Sequence, residues 1–276
     1  MRDKETHRHN SPLRSRRDAD TWRSSTDNWS KLCVAMGCSR ISLPCGVVQT
    51  YPINRSGPFY NSVFVQNPQS FDLKQVEGVF AERKLPFSVV FPRLDPFWEL
   101  GKSLIEQRYS LAPPWNLMVH EELIDRSNPD VRVEEIGSHK LRDWFELQSV
   151  FPDVESSRRA RLEMIETVSR KDSAHLFLAS VEERPVGAGL VFINDEVASI
   201  HMIATLPEFR RRHVASTVAL EAIRRARKDK SRLVWLRTRK GGTGEKVYTK
   251  IGFAPISDIL SYTKTLECED SNLPPK

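Results

Sequence analysis

The stretch richest in chemistry is His201–Ala215, HMIATLPEFRRRHVA. An apolar strand-like run ends at Pro207, Arg210, Arg211 and Arg212 follow, and a helix begins at once. A helix N-terminus offers unpaired backbone N–H groups and a partial positive charge, so it is an anion site before any side chain is added. Arginines in the preceding turn add charge-assisted hydrogen bonds, about 1.5–3 kcal/mol each where water is partly excluded. The ligand that suits this arrangement is a phosphate or pyrophosphate. The wider region agrees: Pro207–Lys240 holds twelve basic residues against Glu208, Glu221 and Asp229, while the rest of the chain is slightly acidic. A focused positive field of this kind favours a polyanionic ligand. A solvated helix face is an equal reading for Arg224–Lys230.

Pro207, Glu208, Phe209, Arg210, Arg212 and Ala215 stand in step with a known motif. They resemble the acyl-CoA loop of the GNAT superfamily of CoA-dependent N-acyltransferases, roughly P-E-[YF]-R-x-[RK]-G-x-[GA]. His213 stands where that family usually has glycine, whose backbone can approach a pyrophosphate closely. Downstream, Gly244–Phe253, GEKVYTKIGF, resembles the family's G-E-x-V-Y-x-K-x-G-F. The resemblance spans about residues 131–266. It implies an α+β or α/β fold: a mixed, mostly antiparallel twisted sheet flanked by helices, with the fourth and fifth strands splayed apart. Pantetheine would lie in that gap against the backbone of Met202, Ile203, Ala204 and Thr205. The phosphates would sit on Arg210, Arg211, Arg212, His213, Val214 and Ala215.

The implied reaction is N-acetyl transfer. A primary amine attacks the thioester of acetyl-CoA directly, with acetyl-CoA as cosubstrate, no covalent enzyme intermediate and no metal. Tyr248 takes the family's general-acid role toward the departing thiolate; on its own it also reads as a core tyrosine of a short amphipathic helix. Direct attack needs a neutral amine, so a proton must leave. His201 shares a strand face with Ser199 and has the side-chain type for a base near neutral pH, although a lone strand histidine is more often structural. Glu196 is the next candidate, and a water chain would need neither.

Composition bounds the alternatives. The 276 residues are 39% hydrophobic and 28% charged, with net charge +6 and mean hydropathy −0.46, as in ordinary globular chains. The longest apolar runs are short, such as Gly187–Ile193, so no membrane span is expected. No apolar segment follows the basic N-terminus as in a signal peptide. Cys33, Cys38, Cys45 and Cys268 match no C-x-x-C pattern and read as reduced thiols of a cytoplasmic protein. A metal site from the first three with His7 or His9 is the minor reading. The expected partner is a small-molecule or peptide amine, with no membrane and no nucleic acid; monomer and homodimer both stay open. The alternative function is a non-catalytic nucleic-acid-binding or CoA-sensing regulator on the same scaffold.

These residues need elements to position them. Residues 1–30 read as a disordered basic tail. Strand, helix, strand, helix and strand patterns follow at Tyr60–Gln66, Leu73–Arg83, Pro86–Phe91, Phe97–Gln107 and Asn116–Leu123. From residue 131 the order is β-α-α-β-β-β-α-β-α-β, ending with Ile259–Thr265. The expected division is 31–126, a degenerate GNAT-like or lid domain, then 127–267, the GNAT domain, then a polar tail over 268–276. The degenerate reading aligns Gln107-Arg108-Tyr109 with Ile251-Gly252-Phe253 and sets Leu104 where Tyr248 stands. The loop Asn67–Ser70 holds no arginine. Trp98 and Trp115 are open between acceptor-site wall and core.

Overall fold

The computed structural model describes residues 12–51, 61–151 and 158–264. It opens with helix α1, Pro12–Ala35. This corrects the disordered tail expected over residues 1–30, except Met1–Ser11, which lie outside the described residues. The helix buries Trp22, Trp29, Leu32 and Cys33 at helical spacing, and Met36 just past its end is buried with them. The same face also buries Ser25, Thr26, Asn28 and Ser30, which is why its periodicity does not show as an apolar stripe. Asn28 Nδ2 donates to the Val197 carbonyl at 3.0 Å and Trp22 Nε1 to that of Val65 at 2.8 Å. Those two carbonyls belong to opposite halves of the chain, so α1 ties the halves together.

Next come a hairpin of β1 (Ser39–Leu43) and β2 (Gly46–Thr50), which the sequence reading lacks, then β3 (Ser62–Val65), α2 (Leu73–Ala81), β4 (Ser88–Pro92) and α3 (Trp98–Glu106). The first half ends with β5 (Tyr109–Leu111) and β6 (Trp115–His120). The second half follows the expected order. It runs β7 (Arg132–Ile136), α4 (Leu141–Glu146) with a 3-10 turn over Leu147–Val150, α5 (Arg158–Val168), β8 (Ala174–Val181), β9 (Arg184–Asn194) and β10 (Val197–Thr205). Then come α6 (Val214–Lys228), β11 (Leu233–Arg239), α7 (Thr243–Thr249) and β12 (Phe253–Lys264). β12 starts earlier than expected because Gly252, at φ +98°, turns the chain straight into it. A Cβ there would sit 1.5 Å from the Glu122 carbonyl oxygen.

All the described strands join one mixed sheet in the order β1-β2-β3-β4-β12-β6-β11-β10-β9-β8-β7, with β5 on β12. Among the described residues only β3 with β4 and β10 with β11 run parallel. The sheet crosses the expected boundary at 126/127. β6, last strand of the first half, pairs with β11, and β12, last strand of the second half, pairs with β4. Each half therefore completes its sheet with the other's final strand.

The exchange is symmetric. Phe253, opening β12, pairs with His120, and Tyr109, opening β5, pairs with Lys264. Arg108 and Gly252, the residues just before, both have positive φ, +64° and +98°. Leu104 is fully buried on α3 as Tyr248 stands on α7. In each half a 3-10 turn beginning at a proline, Pro68 or Pro207, follows the first parallel strand. The difference is at the helix start. Asp72 caps α2, accepting from the Lys74 and Gln75 N–H groups, so the first half closes its anion site with its own carboxylate.

Candidate active site

The site forms where β10 and β11 part. They pair only over Val197–Ile200 against Leu233–Leu236, and beyond that β11 continues on β6 alone. The divergence begins at a bulge in β10. His201 pairs with Leu190 and Ala204 with Ala188, so Met202 and Ile203 together face Gly189. Met202 has φ +55°, a left-handed conformation that costs a non-glycine residue about 1–2 kcal/mol. The bulge takes Met202 and Ile203 out of the β9 ladder, which resumes at Ala204 and Thr205, while the other edge of β10 has no β11 partner beyond Ile200.

The arginine turn closes one end of that gap. The 3-10 turn Pro207–Phe209 leads through Arg210 to Arg211 (φ +63°) and His213 (φ +60°, ψ 13°), and α6 starts at Val214. His213 makes no side-chain cap, and the first helical bond runs from the Thr217 N–H to the His213 carbonyl at 2.9 Å. The N–H groups at the start of α6 thus stay open, the opposite of α2. Arg210, Arg211 and Arg212 are exposed. Arg212 stacks on Phe209 at 5.5 Å, and Arg184 covers the same ring while pairing with Glu208 at 2.7 Å. Gly187 lets α6 sit close on β9, since a Cβ there would be 2.5 Å from Val214 Cγ1.

One contributor escapes a reading by local pattern. Asn128, in the turn between the halves, donates from Nδ2 to the Arg212 carbonyl at 3.0 Å, and its own N–H donates to Thr217 Oγ1 at 3.0 Å. The sequence marks Ser127–Asp130 only as a turn. Its distance along the chain from the loop it braces hides the role.

The left-handed backbone at His213 explains the family's glycine there in physical terms. Replacing His213 with glycine removes the steric cost of a Cβ at positive φ and is expected to stabilise the chain by ~1 kcal/mol, raising Tm by ~2–4 °C. Differential scanning calorimetry measures this. Ligand affinity should hold or improve in the same variant; weakened binding would make the imidazole itself a ligand of the phosphates.

Tyr248 and His201 stand on opposite faces of the sheet. α7 packs on β11 at Gly244, where a Cβ would be 2.5 Å from Thr238 Oγ1 and 3.3 Å from Tyr248 Cε2. The Tyr248 ring meets Phe253 edge-on at 6.0 Å, on the α6 side. Burial pushes its phenol further up from the ordinary value, so the proton stays on at neutral pH. His201 faces α1: its ring lies 5.1 Å from Trp29 and 5.8 Å from Trp235. Part of the residue reaches the surface, but Nε2 is sealed and makes no hydrogen bond. Burial, and then the Arg237 guanidinium, push its pKa down to about 3. The pKa near neutrality that made His201 a candidate base is therefore lost. Glu196 fares no better: it sits in the turn before β10, away from the bulge, and pairs with Arg232 at 3.0 Å. Trp98 is 56% exposed on α3, beside β4 and β12 rather than over β10.

Much of the basic surplus is used internally. Arg224 pairs with Asp125 and Glu221. Arg225 pairs with Asp229 at 2.7 Å and Glu135 at 3.2 Å, beside His175. Arg227 donates to the Ser231 and Arg232 carbonyls. These side chains are held at the end of α6 by their own partners, which weakens the polyanion-surface reading for that helix, whereas the Arg210–Arg212 turn stays exposed.

A family model, the acetyltransferase (GNAT) family, matches residues 139–253. No curated protein matches the chain. Among solved structures, the chain is similar to a GCN5-related N-acetyltransferase from Kribbella flavida, with TM-score 0.66 and 16% identity over 87% of this chain and 95% of that one. A functionally unknown conserved protein from Staphylococcus epidermidis gives TM-score 0.63 at 16% identity, over 83% and 94%. A tandem GNAT protein from the clavulanic acid biosynthesis pathway gives 0.53 at 10%, over 81% and 79%. At such identities the likeness speaks for the fold, and it extends over both halves. Residues 139–253, with the splayed strands, the arginine turn and Tyr248, are thus a domain of the GNAT acetyltransferase family, joined to a second, GNAT-like half through exchanged strands.

Proposed function

We propose that the chain is an N-acetyltransferase that moves the acetyl group of acetyl-CoA to a primary amine by direct attack. The observation that carries this reading is the open N-terminus of α6, flanked by Arg210–His213 and set at the mouth of the β10–β11 gap. The pyrophosphate of CoA fits the helix end and the arginines. Pantetheine fits the β10 backbone beyond Ile200, whose edge β11 leaves unpaired. The thioester then lies between the two sheet faces, with Tyr248 on one side. The amine adds to the acetyl carbonyl, the C–S bond breaks, and the thiolate takes its proton with help from the Tyr248 hydroxyl. The amine's proton departs to solvent, because His201 holds a proton too weakly to accept it.

That last point has a kinetic signature. kcat/KM should rise with pH along a limb that follows the acceptor's own ammonium pKa, moving when a less basic amine is substituted. A limb fixed at about 6.5 whatever the acceptor would restore a histidine base. The first test of the function itself is thermal shift with acetyl-CoA, followed by thiol release over pooled amines. A chain that gains no stability with acetyl-CoA and releases no thiol refutes the reading.

A further inference from the structure

The bulge in β10 has to be held open. Two residues, Met202 and Ile203, face the single Gly189, so backbone carbonyls on both strands lose their ladder partners. A buried carbonyl without a donor is costly, and a left-handed Met202 persists only where its surroundings over-determine it. Two side chains one helical turn apart supply what is missing. Trp144, fully buried on α4, donates from Nε1 to the Gly189 carbonyl at 3.0 Å. Gln148, 5% exposed in the following 3-10 turn, donates from Nε2 to the Met202 carbonyl at 3.1 Å. Gly189 completes the seat: a Cβ there would lie 2.6 Å from both Ile203 Cδ1 and Val218 Cγ1.

We infer that Trp144 and Gln148 are positioning residues for the acyl donor. Their two N–H groups clamp β9 and β10 around the bulge and so fix the backbone that would receive pantetheine. The inference rests on the CoA reading above. The clamp also reaches from the helices over the His201 face to the strand that lines the gap. Trp144 reads in the sequence as one more core residue of an amphipathic helix and Gln148 as nothing in particular. Their shared role depends on two carbonyls contributed by distant strands.

The test uses the full chain with Gln148→Met, which keeps length and removes the donor, and Trp144→Phe, which keeps an aromatic ring. Calorimetry measures Kd for CoA and for 3′-phospho-ADP, the same nucleotide without pantetheine. Hydrogen–deuterium exchange follows residues 200–206. Each variant is expected to bind CoA about tenfold more weakly, to hold 3′-phospho-ADP within about twofold, and to exchange faster over the bulge. Unchanged CoA affinity in a folded Gln148→Met chain overturns the inference. So does a parallel loss for both ligands that tracks a lower Tm, the pattern of a general packing role. If the wild-type chain binds neither ligand, the CoA reading fails instead, and exchange alone decides the clamp: bulge amides as protected in Gln148→Met as in wild type refute it. Should Trp144→Phe not fold, Gln148→Met carries the test by itself.

Discussion

Replacing Arg210 and Arg212 together with alanine should remove most of the stabilisation that acetyl-CoA confers. At a ligand concentration about 100 times Kd, binding adds ~2.7 kcal/mol to the folded state. For a chain of this size that is a rise in Tm of ~5–10 °C. The two guanidiniums are exposed, so each is placed at the low end of the range for charged hydrogen bonds, ~1.5 kcal/mol. Losing both weakens binding by about a hundredfold, and the same ligand concentration then yields ~0.4 kcal/mol, or ~1 °C. The wild-type shift should also shrink with added salt, and the double variant should show little of that dependence.

Charge alone must be separated from position. Lys228→Ala with Arg232→Ala removes two charges as well, at and just beyond the far end of α6, where the Arg232 side chain makes an exposed pair with Glu196. That control should keep nearly the full shift. An undiminished shift in the arginine-turn variant, or an equal loss in the control, would place the ligand elsewhere or make the effect a matter of net charge.

What the sequence made legible was local. The turn from Pro207 to Ala215 can be read because a helix start, three arginines and a stopping proline declare their chemistry within a few residues. α1 was illegible for a physical reason. Its buried face alternates tryptophans with Ser25, Asn28 and Ser30, and the group that Asn28 meets, the Val197 carbonyl, comes from far along the chain. The exchange of β6 and β12 was equally hidden, since each strand reads as the end of its own half and its partner choice leaves no periodic mark. His201 shows the same limit at the site. Its residue type suggested a base, but its titration is set by burial and by Arg237, and Trp29 of α1 packs against its ring. The internal similarity of the halves did reach the backbone, where Arg108 and Gly252 share a positive φ, and the vacant arginine positions of Asn67–Ser70 led to a helix start closed by Asp72.

Tyr248→Phe should leave acetyl-CoA affinity close to wild type while turnover falls by about 10²-fold, with tenfold as the least drop that keeps the role. The ring packs edge-on against Phe253 and over Gly244, contacts that phenylalanine retains, so stability should change little. What is lost is the hydroxyl proton. Burial raises the pKa of this phenol, which by itself would make it a reluctant donor. The same low-dielectric setting raises the basicity of a thiolate forming beside it, so the two stay matched and the hydrogen bond strengthens as charge develops on sulfur. Because the phenol holds its proton through neutral pH and beyond, ionisation of Tyr248 should impose no fall in rate on the wild-type profile as pH rises toward its ordinary value of about 10. An acyl donor with a more acidic leaving thiol needs less help and should restore part of the variant's rate. A core role predicts the reverse pattern: a rate that follows Tm and ignores the leaving group. Wild-type turnover in a folded, CoA-binding Tyr248→Phe chain would take this residue out of the mechanism and return the burden of thiolate stabilisation to the backbone and solvent at the gap.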